Sequence, residues 1–282
     1  MERDGIAHVA HSRAALAQLS SSRQAAVGEN FPAGALPSSN PFELAGAGAA
    51  AYADVRPSYP ESAVTWAVQG VHIGARVADI GAGAGRLTAA LVSRGFEVWA
   101  VEPATDMRVE FLECLPDFPR THLLATTAEA TGLEDRFCDA LTYGESWHWL
   151  ERSRATTEAW RLLRPGGSVA LLYNQLAVEH PWVHRLTRIM RSGDVQRPDK
   201  PPVLGDQFST PQFFSVDWEH AVTPEHIIAL GTTRASWLRA SHEQRVRMRR
   251  NLVWYLYTEL GMRPGEPVAL PYHTYVWRAW RR

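Results

Sequence analysis

The sequence predicts an α/β fold in which helices cover both faces of a mostly parallel sheet. From Arg76 to Asn174, apolar segments of strand length alternate with amphipathic segments of helix length. That alternation is typical of parallel sheets, because each crossover helix packs on one face of the sheet. A glycine-rich turn, residues 81–85, joins the first strand of this region to its first helix. Such a turn leads from a strand into a helix beneath a nucleotide-like ligand, so the predicted class is doubly wound and Rossmann-like.

The elements before Asn174 follow from the spacing of apolar residues. Residues 60–70 predict a helix, since Pro60 lies in its first turn and Gly70 follows its end. Short apolar runs bounded by polar residues or glycine predict strands at 76–80, 96–101, 121–125, 137–143 and 168–173. Apolar residues at helical spacing predict helices at 85–94, 104–114 and 152–163.

The pattern changes after Asn174. A helix is predicted at 181–191, and the polar stretch 193–210, with its three prolines, predicts a loop. A strand at 213–221, helices at 224–230 and 241–260, and a last strand at 271–280 follow. These additions bring the predicted sheet to seven strands.

The chain divides into two predicted regions. Residues 1–40 contain much Ser, Gly and Pro and few large apolar residues, which predicts a flexible N-terminal tail or lid. Residues 41–282 form the predicted domain, with the core sheet at about 75–175, an insertion at about 176–265 and the last strand at 271–280.

Composition restricts the class of protein. The 282 residues are 45% hydrophobic, which is enough for one substantial core. The formal net charge of −1 gives no electrostatic case for binding nucleic acid or acidic membranes. The spacing of Cys114 and Cys138 fits neither a disulfide framework nor a metal site, and no apolar run approaches the roughly 20 residues that span a bilayer. These features predict a cytoplasmic protein.

The glycine turn indicates which cofactor it binds. Gly81 permits the tight turn, Gly83 lets backbone lie against a ligand, and Gly85 lets the helix pack close to the strand. A dinucleotide fingerprint needs a small residue where this chain has Arg86. Asp79 would repel a pyrophosphate but suits the ammonium and sulfonium of S-adenosylmethionine (SAM). The turn therefore favours SAM over a nicotinamide cofactor.

A second acid strengthens this interpretation. Glu102 directly follows the predicted strand 96–101, where a carboxylate can accept hydrogen bonds from both ribose hydroxyls of a bound nucleoside. The alternative is that Glu102 is only an exposed acid at a strand end.

With these motifs in place, the chain resembles the class I SAM-dependent methyltransferases. The likeness is greatest to the small-molecule branch that carries a methyltransferase type 11 domain and includes trans-aconitate methyltransferase-like proteins. The segments that carry it, in order, are 52–60, 127–133, 139–149, 163–168 and 270–277. Of these, 163–168 resembles the family's turn before the fifth strand. The resemblance covers about residues 50 to 280, with motif order as the test of context. It implies SAM as cofactor, a last pair of strands at one sheet edge, and helical lid insertions over the acceptor site.

The resemblance and the motifs together predict a cofactor site. Its predicted members are Tyr52, Arg56, Asp79, Gly81, Ala82, Gly83, Gly85, Glu102, Pro103, Met107, Thr127, Ala128, Glu129, Gly144 and Trp147.

Several members have open alternatives. Tyr52 and Arg56 reach the SAM carboxylate in one interpretation, and in the other Arg56 forms a surface ion pair. Thr127, Ala128 and Glu129 contact the adenine, or Glu129 is a surface acid.

Catalysis of methyl transfer mainly requires that the acceptor be aligned with the methyl group of SAM, so no conspicuous catalytic cluster is expected. His148 follows the fourth strand, at the sheet edge where ligands bind, and is the candidate general base. The alternative is that His148 only packs or contacts the cofactor.

Trp147 lines the donor pocket or belongs to the core. His180 and His184 lie one helical turn apart, but no third ligand has suitable spacing, so no metal is predicted.

The predicted activity is methyl transfer from SAM to a small-molecule acceptor, with oxygen favoured as the attacked atom. The partner is that acceptor, with no nucleic acid and no membrane, and the protein is a monomer or homodimer. One rival is a SAM-binding protein that does not methylate. A nucleic-acid methyltransferase is disfavoured, because residues 143–146 lack the Asn/Asp-Pro-Pro-aromatic motif. The basic run at 245–250 predicts a solvated helix face.

Overall fold

The sheet has seven strands, as predicted. The computed structural model describes residues 55–192 and 196–282, so the predicted tail at 1–40 and the predicted site residue Tyr52 lie outside the described residues. The strands are β1 (Arg76–Ile80), β2 (Glu97–Val101), β3 (Leu123–Leu124), β4 (Cys138–Gly144), β5 (Leu163–Leu176), β6 (Gln212–Val222) and β7 (Val268–Trp280). Their order across the sheet is β3-β2-β1-β4-β5-β7-β6.

The sheet is mostly parallel. Strands β1 to β5 pair in parallel, whereas β7 runs antiparallel between β5 and β6. The last two strands therefore pair at one edge of the sheet, as the resemblance implied. In β5 the predicted turn at 163–168 is an irregularity within a longer strand: the register with β4 shifts between Cys138 and Ala140, and Gly166 has φ +78°.

Eight α-helices accompany the sheet in the described part of the chain. They are α1 (Glu61–Ala67), α2 (Arg86–Val92), α3 (Thr105–Cys114), α4 (Arg152–Leu162), α5 (Pro181–Met190), α6 (Pro224–Thr232), α7 (Ala235–Leu238) and α8 (His242–Val253). The short helix α7 was not predicted. The predicted helix at 241–260 was too long, since α8 ends at Val253 and a π-helical turn, Trp254–Glu259, follows it.

Alternating residues of the central strands build two separate cores. Val77 faces the core that contains residues of α1, α2 and α3, while its neighbour Ala78 faces the core that contains residues of α4. Ala170 and Leu171 divide in the same way. Because strand side chains alternate between the two faces, a sheet covered on both sides needs apolar residues at consecutive positions.

A third core lies beyond the ends of the long strands. Leu176 and Tyr272, from the paired ends of β5 and β7, pack with Val183 of α5, Leu230 of α6 and Leu252 of α8. The insertion after β5 is thus a helical layer fixed to the carboxyl end of β5, beside the carboxyl ends of the other parallel strands. Within the described ranges, no helix has both the length and the apolar character needed to cross a membrane.

Candidate functional site

A cavity of about 420 Å³ opens at the carboxyl ends of the parallel strands. Ligands bind at this edge in open α/β sheets. The predicted site residues that line it are Arg56, Asp79, Gly81, Ala82, Gly83, Glu102, Pro103, Met107, Thr127, Ala128, Glu129 and Gly144. Residues predicted from several distant segments therefore meet in one place.

The glycine turn presents backbone to this cavity. The N–H groups of Gly81 and Ala82 both donate to the carbonyl of Val101, at 2.8 and 3.0 Å, which fixes the turn to the end of β2. A Cβ on Gly81 would lie 2.5 Å from the Ser146 Cβ, so this position excludes any larger residue. A Cβ on Gly83 would meet nothing within 4 Å, so open space lies beside this part of the backbone.

The predicted role of Gly85 needs a correction. Gly85 does not line the cavity, and a Cβ there would lie 2.9 Å from side-chain atoms of Phe111 and Leu115 at the end of α3. Its φ of +82° is also a conformation that L side chains rarely adopt. Gly85 therefore allows the start of α2 to approach the end of α3.

Glu102 is a buried acid with two backbone partners. Its Oε2 accepts a hydrogen bond from the Gly83 N–H and its Oε1 accepts one from the Ala104 N–H, both at 2.9 Å. Burial raises its pKa, although these hydrogen bonds and the Arg108 cation act in the opposite direction. The side chain is not the exposed strand-end acid of the alternative interpretation, since the residue is 7% exposed. Each carboxylate oxygen retains a lone pair for a further donor.

Asp79 lies deeper, below the glycine turn. The hydroxyls of Thr88 and Thr142 donate to its two carboxylate oxygens at 2.7 and 3.1 Å. Burial nevertheless raises the pKa of Asp79 to about 6, because desolvation of the charged form outweighs these hydrogen bonds. The site thus has an acid that changes charge just below neutral pH.

The segment 127–129 forms another wall. Ala128 is buried, and the Glu129 Oε1 accepts a hydrogen bond from the backbone N–H of Glu151 at 3.1 Å. That bond ties the segment to the N-terminus of α4. Arg56 lines a different part of the cavity and donates from Nη2 to the carbonyl of Thr233 at 3.1 Å.

Trp147 and His148 do not line the cavity. Trp147 is a core residue, 2% exposed, with its ring edge-on to Tyr143 at a centroid distance of 4.9 Å. The structure thus places Trp147 in the core. The His148 residue is exposed, but its ring packs against Trp149 and Tyr173 at 4.6 and 5.9 Å. This partial burial, with the Arg56 cation, lowers the pKa of His148 to about 4.

The sequence interpretation missed several cavity residues. Glu145 lies just past β4 and adopts φ +56°, which is unusual for a residue with a side chain. Its Oε1 accepts a hydrogen bond from the Asn174 N–H at 2.5 Å. The other missed residues are Pro57, Tyr59, Ala84, Arg86, Leu87, Ser146, Trp149, Leu150, Asn174, Arg234 and Tyr272. For Glu145 the position after a central parallel strand was the available signal.

The comparisons with known proteins agree with this geometry. Residues 78–171 match a family described as a methyltransferase domain. An uncharacterised methyltransferase of Mycobacterium tuberculosis is 35% identical over 235 residues, which is 83% of this chain and 94% of that one. The chain belongs to the class I SAM-dependent methyltransferases. An uncharacterised methyltransferase of Schizosaccharomyces pombe is 32% identical to this methyltransferase over 143 residues, or 49% of this chain and 55% of that one.

Solved structures share the fold of this methyltransferase. A structure from Anaeromyxobacter dehalogenans, assigned as a type II methyltransferase, superposes with a TM-score of 0.58 at 20% identity, covering 79% of this chain and 97% of that one. The YcgJ protein from Bacillus subtilis gives a TM-score of 0.51 at 17% identity, with coverage of 79% and 99%. The predicted Rossmann-like class is confirmed.

The cofactor that this family uses is SAM, and the cavity of the methyltransferase fits it. Open space beside Gly83 leaves room for a ligand against the backbone. The buried carboxylate of Glu102 keeps lone pairs that match a pair of hydroxyl donors. The volume of about 420 Å³ is within the usual range for small-molecule sites.

Proposed function

We propose that this methyltransferase methylates a small molecule that enters the same cavity from the side of the helical insertion, with oxygen as the attacked atom. The observation that carries the proposal is that one cavity has two chemically different ends. One end, at β1 and β2, has the glycine turn and Glu102. The other, at β5 and β7 farther along the sheet edge, has Asn174 and Tyr272, together with Arg234 of the insertion. A single cavity allows donor and acceptor to meet.

The first end suits the cofactor. Glu102 would accept the ribose hydroxyls, and the turn at 81–83 would lie along the nucleoside, since both flank the same open space. Segment 127–129 would contact the adenine. Arg56 would hold the carboxylate, for which its planar fork is suited. Bound SAM supplies a methyl group on a sulfonium, whose leaving group is a neutral thioether.

The chain itself must align the acceptor and take up a proton if a hydroxyl is methylated. Orientation within a closed site lowers a barrier by about 7–11 kcal/mol. Glu145 follows β4, which lies between β1 and β5 in the sheet, and its carboxylate accepts a hydrogen bond from the Asn174 N–H. We therefore assign the proton-accepting role to Glu145 in preference to His148, which lies outside the cavity lining.

An acceptor screen tests this function. Purified protein is incubated with SAM and a panel of small hydroxyl, carboxylate and amine compounds, and S-adenosylhomocysteine (SAH) release is measured together with the methylated product. The expected result is turnover with a hydroxyl or carboxylate acceptor. In Tyr272→Phe and Arg234→Met we expect a higher KM for the acceptor and an unchanged KM for SAM.

Two results would count against the proposal. If those variants raise the KM for SAM alone, the insertion end of the cavity does not bind the acceptor. If SAH binds but no small molecule is methylated, the non-methylating rival or a macromolecular acceptor takes its place.

A further inference from the structure

A second cavity, of about 560 Å³, lies between α5 and α8 and shares no lining residue with the methyl-transfer cavity. On α5, His184 and Arg188 lie four residues apart on one helical face, and Arg191 follows the last residue of the helix as its left-handed C-cap. On α8, Gln244, Arg247 and Asn251 have the same kind of spacing. Two helical faces that meet in this protein thus present polar and basic groups to each other.

This arrangement departs from ordinary helix packing. Facing positions of packed helices normally carry apolar residues. Here only the deeper part of the cavity is apolar, with Met248 buried and Ile189 half-buried, while the arginines around it are exposed. The basic run at 245–250, predicted to be merely a solvated face, contributes Arg247 to a concave surface.

The arginines of this cavity differ in whether they have an ion-pair partner. Arg185 bonds to Glu259 at 2.9 Å and lies over the ring of Tyr255 at 5.0 Å. The guanidinium groups of Arg188, Arg191 and Arg247 make no ion pair or hydrogen bond with any residue in 55–192 or 196–282. Like charges that line one concave surface repel each other, and a bound anion removes that repulsion.

We propose that this cavity binds the phosphate or pyrophosphate group of a small molecule. Guanidinium groups match phosphate oxygens in two-pronged geometry. A tetrahedral phosphate directs its oxygens to several sides at once, so it can bind guanidinium groups from both helices. A planar carboxylate has only two oxygens and pairs with one guanidinium group. The cavity volume is within the range of small-molecule sites. The inference does not depend on the identity of the methyl acceptor.

Calorimetric titration of the full chain with inorganic pyrophosphate tests the inference. We expect saturable binding at one site that weakens as salt is added. Arg188→Gln with Arg247→Gln should weaken it at least about tenfold, because two charged hydrogen-bond donors are lost. The matched control is Arg249→Gln with Arg250→Gln, which removes the same charge from α8 outside the cavity lining and should leave affinity within about threefold.

Further binding measurements identify the chemical class of the ligand. ATP should compete with pyrophosphate, and adenosine should not. SAH titration should be unchanged in both double variants, which separates this site from the methyl-transfer site and shows that the variants are folded. Failure of the wild-type protein to bind pyrophosphate, equal weakening in the two double variants, equally tight binding of citrate, or binding of a DNA oligonucleotide that pyrophosphate does not displace would each overturn the proposal.

Discussion

At the scale of single residues, burial determines how the acids of the site behave. Asp79 and Glu102 are both nearly inaccessible, and burial raises the pKa of each. The difference is that Asp79 reaches a pKa of about 6, so its charge changes within an accessible pH range. A ligand with an ammonium and a sulfonium interacts best with the ionised carboxylate.

We therefore expect SAM affinity to rise with pH through about 6. The carboxyl group is mostly neutral below that pH and mostly ionised above it, and only the ionised form attracts a cation. A fall of one unit in the pKa of Asp79 on binding, from about 6, would give a gain of about fivefold between pH 5 and pH 7.5. The measurement is calorimetry at both pH values, and Asp79→Asn should remove most of the rise. A variant that keeps the full rise would show that another group titrates.

The identity of the proton acceptor is also a question about single residues. If Glu145 accepts the proton, Glu145→Gln should lower kcat at least about 100-fold, within the range for general-base catalysis. The KM for SAM should be unchanged. His148→Ala should stay within about threefold, since that ring packs against Tyr173 outside the cavity lining. Steady-state kinetics distinguish the cases, and the reverse pattern would restore His148 as the base.

At the scale of elements, the turn between β1 and α2 needs glycine at two positions for two different reasons. Gly83 faces open space, whereas Gly85 faces Phe111 and Leu115. Gly85→Ala should lower the free energy of unfolding by about 2–4 kcal/mol, because left-handed strain adds to steric overlap. Gly83→Ala should cost only about 1–2 kcal/mol from strain but should weaken SAH binding. Urea unfolding and SAH titration measure both effects, and equal destabilisation without loss of binding would contradict this division.

The elements themselves were predicted well where a local pattern was strong. The strand β1, the glycine turn and the alternation through β5 follow from apolar periodicity and turn chemistry. Helix α7, only four residues long, has too few positions to show a helical period. The start of β5 was predicted as a turn from the family resemblance of residues 163–168. The break after Val253 likewise has no local signal, since the residues that follow suit an α-helix.

At the scale of the whole molecule, the cavity depends on contacts between distant parts of the chain. Its cofactor end lies in segments with known motifs, so most of it could be predicted from the sequence. Its other end draws Asn174, Arg234 and Tyr272 from β5, the insertion and β7. Only tertiary packing brings these residues together, and no pattern of spacing along the chain predicts that they meet.

The most direct test of the account is calorimetric titration of the protein with SAH, with NADH as the comparison ligand. We predict a micromolar Kd for SAH and no binding of NADH. Glu102→Ala should weaken SAH binding at least about tenfold, while Glu97→Ala, which removes an exposed acid from β2, the strand that Glu102 follows, should not. Absence of SAH binding, or binding of NADH alone, would contradict the assignment of this cavity as the methyl-transfer site.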